Sequence, residues 1–178
     1  MKRTLALPLF LCAALAAQNK ETIEKLAPYY PTPETVVDKM LKLGDLKPGE
    51  KTFDLGSGDG RIVIMAAKKY KADATGIEMD KDLVKQSNEG IQSAGVQKTA
   101  RIINGDIFKQ DYSSANLVTV YLLPMSNDKV RPMLEQQLKK GTRIVSHDFE
   151  FKDWKAEKIE NIDDDGEGRS HTLFLYRR

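Results

Sequence analysis

The stretch KTFDLGSGDGRIV, residues 51–63, decides how the rest of the chain is read. A strand-like run ends at Leu55, and Gly56, Gly58 and Gly60 follow within five positions before an apolar-periodic segment begins. Glycine costs backbone entropy, so three of them so close together mark a turn whose backbone must bend sharply or approach something closely. A turn leaving a first strand and entering a helix lies where sheets of alternating strands and helices hold their ligands. The spacing is G-x-G-x-G. The dinucleotide fingerprint G-x-G-x-x-G places its third glycine one residue later, and no G-K-[ST] follows to make a P-loop. Asp54, immediately before the turn, would repel a pyrophosphate and suits a cationic ligand group.

Outward from that turn the pattern alternates. Upstream, the prolines in Pro28-Tyr-Tyr-Pro-Thr-Pro33 stiffen an extended aromatic segment. Thr32 and Pro33 read as the N-cap and first position of a helix that reaches about Leu43, with Val36, Val37, Met40 and Leu41 on one face. Downstream, strands are expected at 51–55, 74–78, 100–104, 117–122 and 142–147. Helices are expected at about 60–70, at 81–94 ended by Gly95, and up to about residue 140. Pro132 must sit in the first turn of that last helix or kink it. Two strand-like runs at 155–162 and 171–176 flank the loop Asp163-Asp-Asp-Gly-Glu-Gly168 and close the chain as a hairpin. The order predicts an α/β domain with a mostly parallel, helix-covered sheet and an antiparallel C-terminal hairpin.

The 178 residues carry 28 basic and 26 acidic side chains, and no block of one sign suggests a nucleic-acid arm. Residues 1–17 read as a secretory signal: Lys2 and Arg3, an apolar run, then small residues before Gln18. The run is short for a permanent membrane span. Residues 18–178 are therefore read as one exported, periplasmic domain, with a cytoplasmic or membrane-anchored placement as the alternative. Cys12 is the single cysteine and lies in that leader, which excludes disulfides, cysteine metal sites and a catalytic thiol from the mature domain. The two histidines, His147 and His171, lie far apart in sequence and show no metal constellation.

Asp54-Leu-Gly-Ser-Gly-Asp-Gly60 resembles the first motif of class I S-adenosylmethionine-dependent methyltransferases. Further matches follow in chain order: Glu78, 22 residues after Gly56 at a strand end, and Asp106 in Asn104-Gly-Asp-Ile107. Tyr30-Pro-Thr-Pro33, DLGSGDGRIV, GIEMD and Val120-Tyr-Leu-Leu-Pro124 more narrowly resemble the lysine methyltransferases that act on the ATP synthase c-subunit and the adenine nucleotide translocase, with their prokaryotic relatives. A looser likeness links the first motif to histone lysine methyltransferases. The resemblance implies a Rossmann-like three-layer sandwich and S-adenosylmethionine as cofactor. It places Asp54, Gly56, Ser57 and Gly58 against the methionine portion, Glu78 and Met79 at the ribose, and Asp106 and Ile107 at the adenine. Tyr29 and Thr32 would cover the cofactor. Tyr30, Tyr121 and Pro124 would shape a slot for a lysine side chain, without a dedicated base.

Other readings stand beside these. Asp106 could cap a short turn. Asp59 and Arg61 read as structural charges at a helix start, His147 as a satisfied strand-end residue, and Trp154 as core. The fourth strand lacks the [DN]-P-P-[YFW] of nucleobase amino methyltransferases, so the expected acceptor is a protein or small molecule rather than a nucleic acid. A small-molecule methyltransferase and a non-catalytic nucleoside-binding module remain the alternatives.

Overall fold

The computed structural model describes residues 26–178; the leader read at 1–17 lies outside them. Helix α1 spans Glu34–Leu43, β1 Lys51–Leu55, α2 Arg61–Lys68, β2 Asp73–Glu78, α3 Lys81–Ala94 and β3 Ala100–Asn104. A 3-10 turn at Ile107–Lys109 precedes β4 Leu117–Val120, α4 Pro124–Gln137, β5 Arg143–His147, β6 Lys158–Ile162 and β7 His171–Arg177.

The seven strands form one sheet in the order β3-β2-β1-β4-β5-β7-β6. Strands β1 to β5 are parallel, and β7 runs antiparallel between β5 and β6. Central strands β4 and β5 are buried along their whole length, as a sheet covered on both faces requires. One face carries the apolar sides of α1 and α2 with Ile91 of α3, against residues such as Leu117 and Val145. The other carries Val130 and Leu134 of α4 with Tyr112, against Leu55, Val118 and Ile144. Chain direction across the sheet reverses between β1 and β4. That switch point opens a crevice at the strands' carboxyl ends.

Two local expectations are corrected, and of the two placements open to Pro132 the interior one is found. Pro33, not Thr32, is the N-cap of α1, and no side chain caps the helix. The Thr32 hydroxyl instead reaches Nδ1 of His147 at 3.2 Å, a partner 115 residues away. Helix α4 starts at Pro124, so Pro132 lies in its interior. Its exposed position lets water satisfy the Asp128 carbonyl that a proline cannot bond. Strand β4 stops at Val120, which frees Tyr121 and Leu122 from the ladder to line the crevice.

Candidate active site

All three turn glycines have the left-handed backbone expected of them, with φ of +74°, +56° and +79° at Gly56, Gly58 and Gly60. Their amides do not point at a ligand. Gly56 and Ser57 N–H both donate to the Ile77 carbonyl at 3.0 Å, and Gly60 N–H donates to the Ser57 carbonyl at 2.9 Å. Gly58 N–H donates to Oε2 of Glu78 at 2.9 Å. A phosphate-binding turn needs these donors; here three of them hold the turn onto β2 and that of Gly60 closes the turn on itself. The glycines serve close approach instead. A Cβ on Gly58 would sit 2.8 Å from the Tyr29 ring, and one on Gly76 would meet Ser57 Oγ at 2.5 Å and Ile102 Cδ1 at 2.7 Å. Gly76 carries no turn signal in the sequence, being an ordinary strand position. Gly76→Ala should lift the turn off β2, lowering stability by about 1–3 kcal/mol, visible as a lower melting temperature in thermal denaturation.

Of the carboxylates that line the crevice, Glu78 and Asp54 are held in different ways. Glu78, 8% exposed, accepts Gly58 N–H on Oε2 and Asp80 N–H on Oε1, each at 2.9 Å. Each oxygen keeps a second lone pair for a ligand hydroxyl. Asp54, 3% exposed, accepts among the described residues the Thr119 hydroxyl, at 2.7 Å. Burial pushes its pKa up to about 7; the Thr119 hydrogen bond opposes this, and the neighbouring charges of Glu78 and Asp59 add to it. No cation among the described residues bonds Asp54.

The segment before α1 lies across the crevice as a strap. Ser126 Oγ donates to the Leu26 carbonyl. Arg61 donates from Nη1 to the Thr32 carbonyl at 2.8 Å while holding Asp59 through Nη2 at 2.6 Å. Arg169 engages the Tyr30 hydroxyl and stacks over its ring. Tyr29 packs on Gly58, and burial together with the Asp59 carboxylate raises its phenol pKa. Asp59 and Arg61 thus have the structural role expected, yet both also line the crevice.

The sequence-read residues assemble unevenly. Tyr29, Tyr30, Thr32, Asp54, Gly56, Ser57 and Gly58 line one crevice together with Glu78, Met79, Asp106, Ile107 and Tyr121. Pro124 does not; it is exposed at the first position of α4, and Leu122 supplies the apolar wall there. Asp106 lines the crevice and also caps the 3-10 turn, accepting Phe108 N–H at 2.9 Å. Ser57 Oγ is buried with no partner among the described residues. His147 is fully buried behind Tyr121, ring centroids 3.9 Å apart, and desolvation lowers its pKa to about 4, which keeps it neutral. The Tyr121 hydroxyl donates to Asp148 Oδ2 at 3.3 Å, and burial, with the Asp148 charge, pushes it up to about 12. Leu26, Leu83 and Thr119 join the site without any local motif to announce them.

A family model described as the ANTKMT methyltransferase domain matches residues 54–158. The chain belongs to that family. A protein-lysine N-methyltransferase from Saccharolobus islandicus is 39% identical over 150 residues, covering 84% of this chain and 92% of the relative. The human lysine N-methyltransferase of the ATP synthase c-subunit is 30% identical over 138 residues, and the match spans 76% of this chain but 58% of that enzyme. Among solved structures, an RNA methyltransferase from Salinibacter ruber in complex with S-adenosyl-L-homocysteine is 44% identical, with a TM-score of 0.77 over 83% of this chain and 93% of that one. This ANTKMT-family domain is therefore a class I, S-adenosylmethionine-dependent methyltransferase. The crevice fits that cofactor's chemistry. It offers acidic acceptors, an unpartnered serine hydroxyl and apolar walls, where a pyrophosphate ligand would require amide donors that are already engaged.

Proposed function

We propose that this domain transfers a methyl group from S-adenosylmethionine to the side-chain nitrogen of a protein lysine. The buried Asp54 carboxylate, with no cation bonded to it among the described residues, beside a glycine turn whose amides are internally bonded is the observation that carries the cofactor half. The lysine half is supported by the lysine methyltransferases among its relatives and by the walls of the slot.

When bound, the cofactor supplies an electrophilic methyl carbon on a sulfonium. Glu78 and Met79 would lie at the ribose, with Glu78 accepting from its hydroxyls, and Asp106 and Ile107 would flank the adenine. Asp54 would pair with the amino group of the methionine portion, beside Ser57. Tyr29 and Thr32 hold the strap over it. Tyr30 and Tyr121 frame the acceptor entrance, and Leu122 takes the part of the wall expected of Pro124. Lysine titrates near ~10.4 in water, and both a desolvated slot and an adjacent sulfonium favour its neutral form. Tyr121, with its proton committed to Asp148, presents lone pairs that accept from the amine and aim it. These residues would align the free amine pair with the methyl carbon, so that the N–C bond could form as the C–S bond breaks with its electron pair returning to sulfur, and the excess proton of the product ammonium would pass to water. Positioning supplies most of the acceleration.

Labelled S-adenosylmethionine incubated with the enzyme and cell extract tests this reading. The label should be lost on protease treatment, survive nuclease, and map to lysine as a 14-dalton increment per methyl by mass spectrometry. Label removed by nuclease would replace lysine with RNA as acceptor, and label in low-molecular-mass material would replace it with a small molecule. Tyr121→Phe should lower kcat about ten- to hundredfold with unchanged affinity for S-adenosylhomocysteine.

A further inference from the structure

We propose that His147, Asp148 and His171 form a binding site for one divalent transition-metal ion, of which Zn²⁺ is the best fit to a set of two imidazoles and one carboxylate. The two histidines are 24 residues apart in sequence, but the antiparallel pairing of β5 with β7 brings their rings together.

Three electron-pair donors converge there. His147 Nε2 is 2.9 Å from His171 Nδ1, His171 Nδ1 is 3.1 Å from Asp148 Oδ2, and His147 Nε2 is 3.4 Å from that same oxygen. Three ligands about 2.0–2.2 Å from a common ion lie roughly 2.9 Å apart when their angles are near 90° and roughly 3.4 Å apart when tetrahedral. The triangle falls within that range on all three sides.

The surroundings have the form that metal-binding imidazoles need, each ring held through its other nitrogen. His171 Nε2 lies 3.2 Å from Asp165 Oδ2, and Asp165 is itself buried and approached by Arg169 Nε at 3.2 Å. His147 Nδ1 is held by the Thr32 hydroxyl. Asp148 adopts a left-handed backbone, φ +59°, unusual for a residue with a side chain. Its Oδ1 accepts Thr172 N–H at 2.9 Å, which turns Oδ2 toward the two rings. Donation of Nε2–H by His171 to Asp165 leaves its Nδ1 as a lone pair facing the Asp148 carboxylate. A proton on His147 can bridge part of that triangle; a dication satisfies all three corners and offsets both carboxylates.

The Asp148 side chain is 24% exposed and gives the ion a way in, and the Tyr121 hydroxyl beside it borders a fourth position. An ion there would tie together the end of β5, the start of β7, the loop bearing Asp165 and, through Thr32, the strap. It would also fix the hydroxyl of Tyr121. None of this geometry depends on the identity of the methyl acceptor.

The full chain, stripped with chelator and dialysed, should bind Zn²⁺ at one equivalent by titration calorimetry and give Co²⁺ absorption bands of an ordered low-symmetry site. Zn²⁺ should raise its melting temperature. Asp148→Asn and His171→Gln, each shown folded by circular dichroism, should weaken binding about a hundredfold or more, and Asp165→Asn about tenfold. Absence of saturable Zn²⁺ and Co²⁺ binding by the folded wild-type chain overturns the proposal and leaves a proton-bridged cluster. One-equivalent binding that Asp148→Asn leaves unchanged overturns it as well.

Discussion

Glu78→Ala should reduce affinity for S-adenosylhomocysteine about a hundredfold or more in calorimetry, while circular dichroism still reports a folded sheet. The carboxylate has two tasks that fail together. Its oxygens hold the N–H groups of Gly58 and Asp80, so removing it orphans one donor in the glycine turn and one at the start of α3. The unpaired buried Gly58 donor costs roughly 1–3 kcal/mol of stability with or without ligand, and affinity falls through the loss of two charge-assisted hydrogen bonds to ribose hydroxyls, each worth about 1.5–3 kcal/mol. About 2.7 kcal/mol in total already amounts to a hundredfold. Glu78→Gln should fall between, because its amide keeps one acceptor but turns an N–H₂ toward a backbone N–H. Cofactor affinity unchanged in Glu78→Ala would remove the ribose assignment.

Asp54→Asn should abolish the pH dependence of cofactor binding. Burial, with the nearby charges of Glu78 and Asp59, pushes the carboxyl up to about 7 against the Thr119 hydrogen bond. A ligand amine that pairs with its ionised form must displace the proton below that pH. Wild-type affinity for S-adenosylhomocysteine should therefore rise about tenfold per pH unit from about 5 to about 7, then level off. Asp54→Asn should give a flat profile, about ten- to hundredfold weaker at pH 8. The free protein should show the opposite trend. Its folded pKa lies above the ordinary 3.8, so between those values the folded state holds a proton that the unfolded state releases. Stability without cofactor should fall as pH rises from about 4 to about 7, and Asp54→Asn should lack that contribution in denaturant titrations. A wild-type affinity independent of pH over that interval would separate Asp54 from the ligand's positive charge.

Local chemistry made much of this molecule legible. The bounds of β1, α3 and β3 follow from apolar runs, Gly95 and polar turns, since the signals that start and stop such elements lie within a few residues of them. The strand-glycine-acid sequence at 54–60 and the acids at 78 and 106 locate the crevice, because strand ends in a parallel sheet all face one side. Elsewhere the deciding partner is remote. Thr32 is a good N-cap by type, but His147 competes for its hydroxyl and wins. Pro132 lies inside α4 rather than in its first turn because Pro124, eight residues earlier, already has the backbone a first helical position needs. Pro124 misses the slot because the chain turns out of the sheet at Tyr121 and carries the proline to the surface.

The sequence alone determined the alternation of strands and helices, the bend at Gly56–Gly60 and the acidic character of the ligand site. These are properties of neighbouring residues, fixed by backbone sterics and side-chain periodicity. Only the tertiary structure decided that the turn amides bond to Ile77 and Glu78, that a strap closes over them, and that His147 meets His171. Those contacts depend on strand order and on the β5–β7 register, where a shift of one residue would turn His171 to the face of the sheet opposite His147.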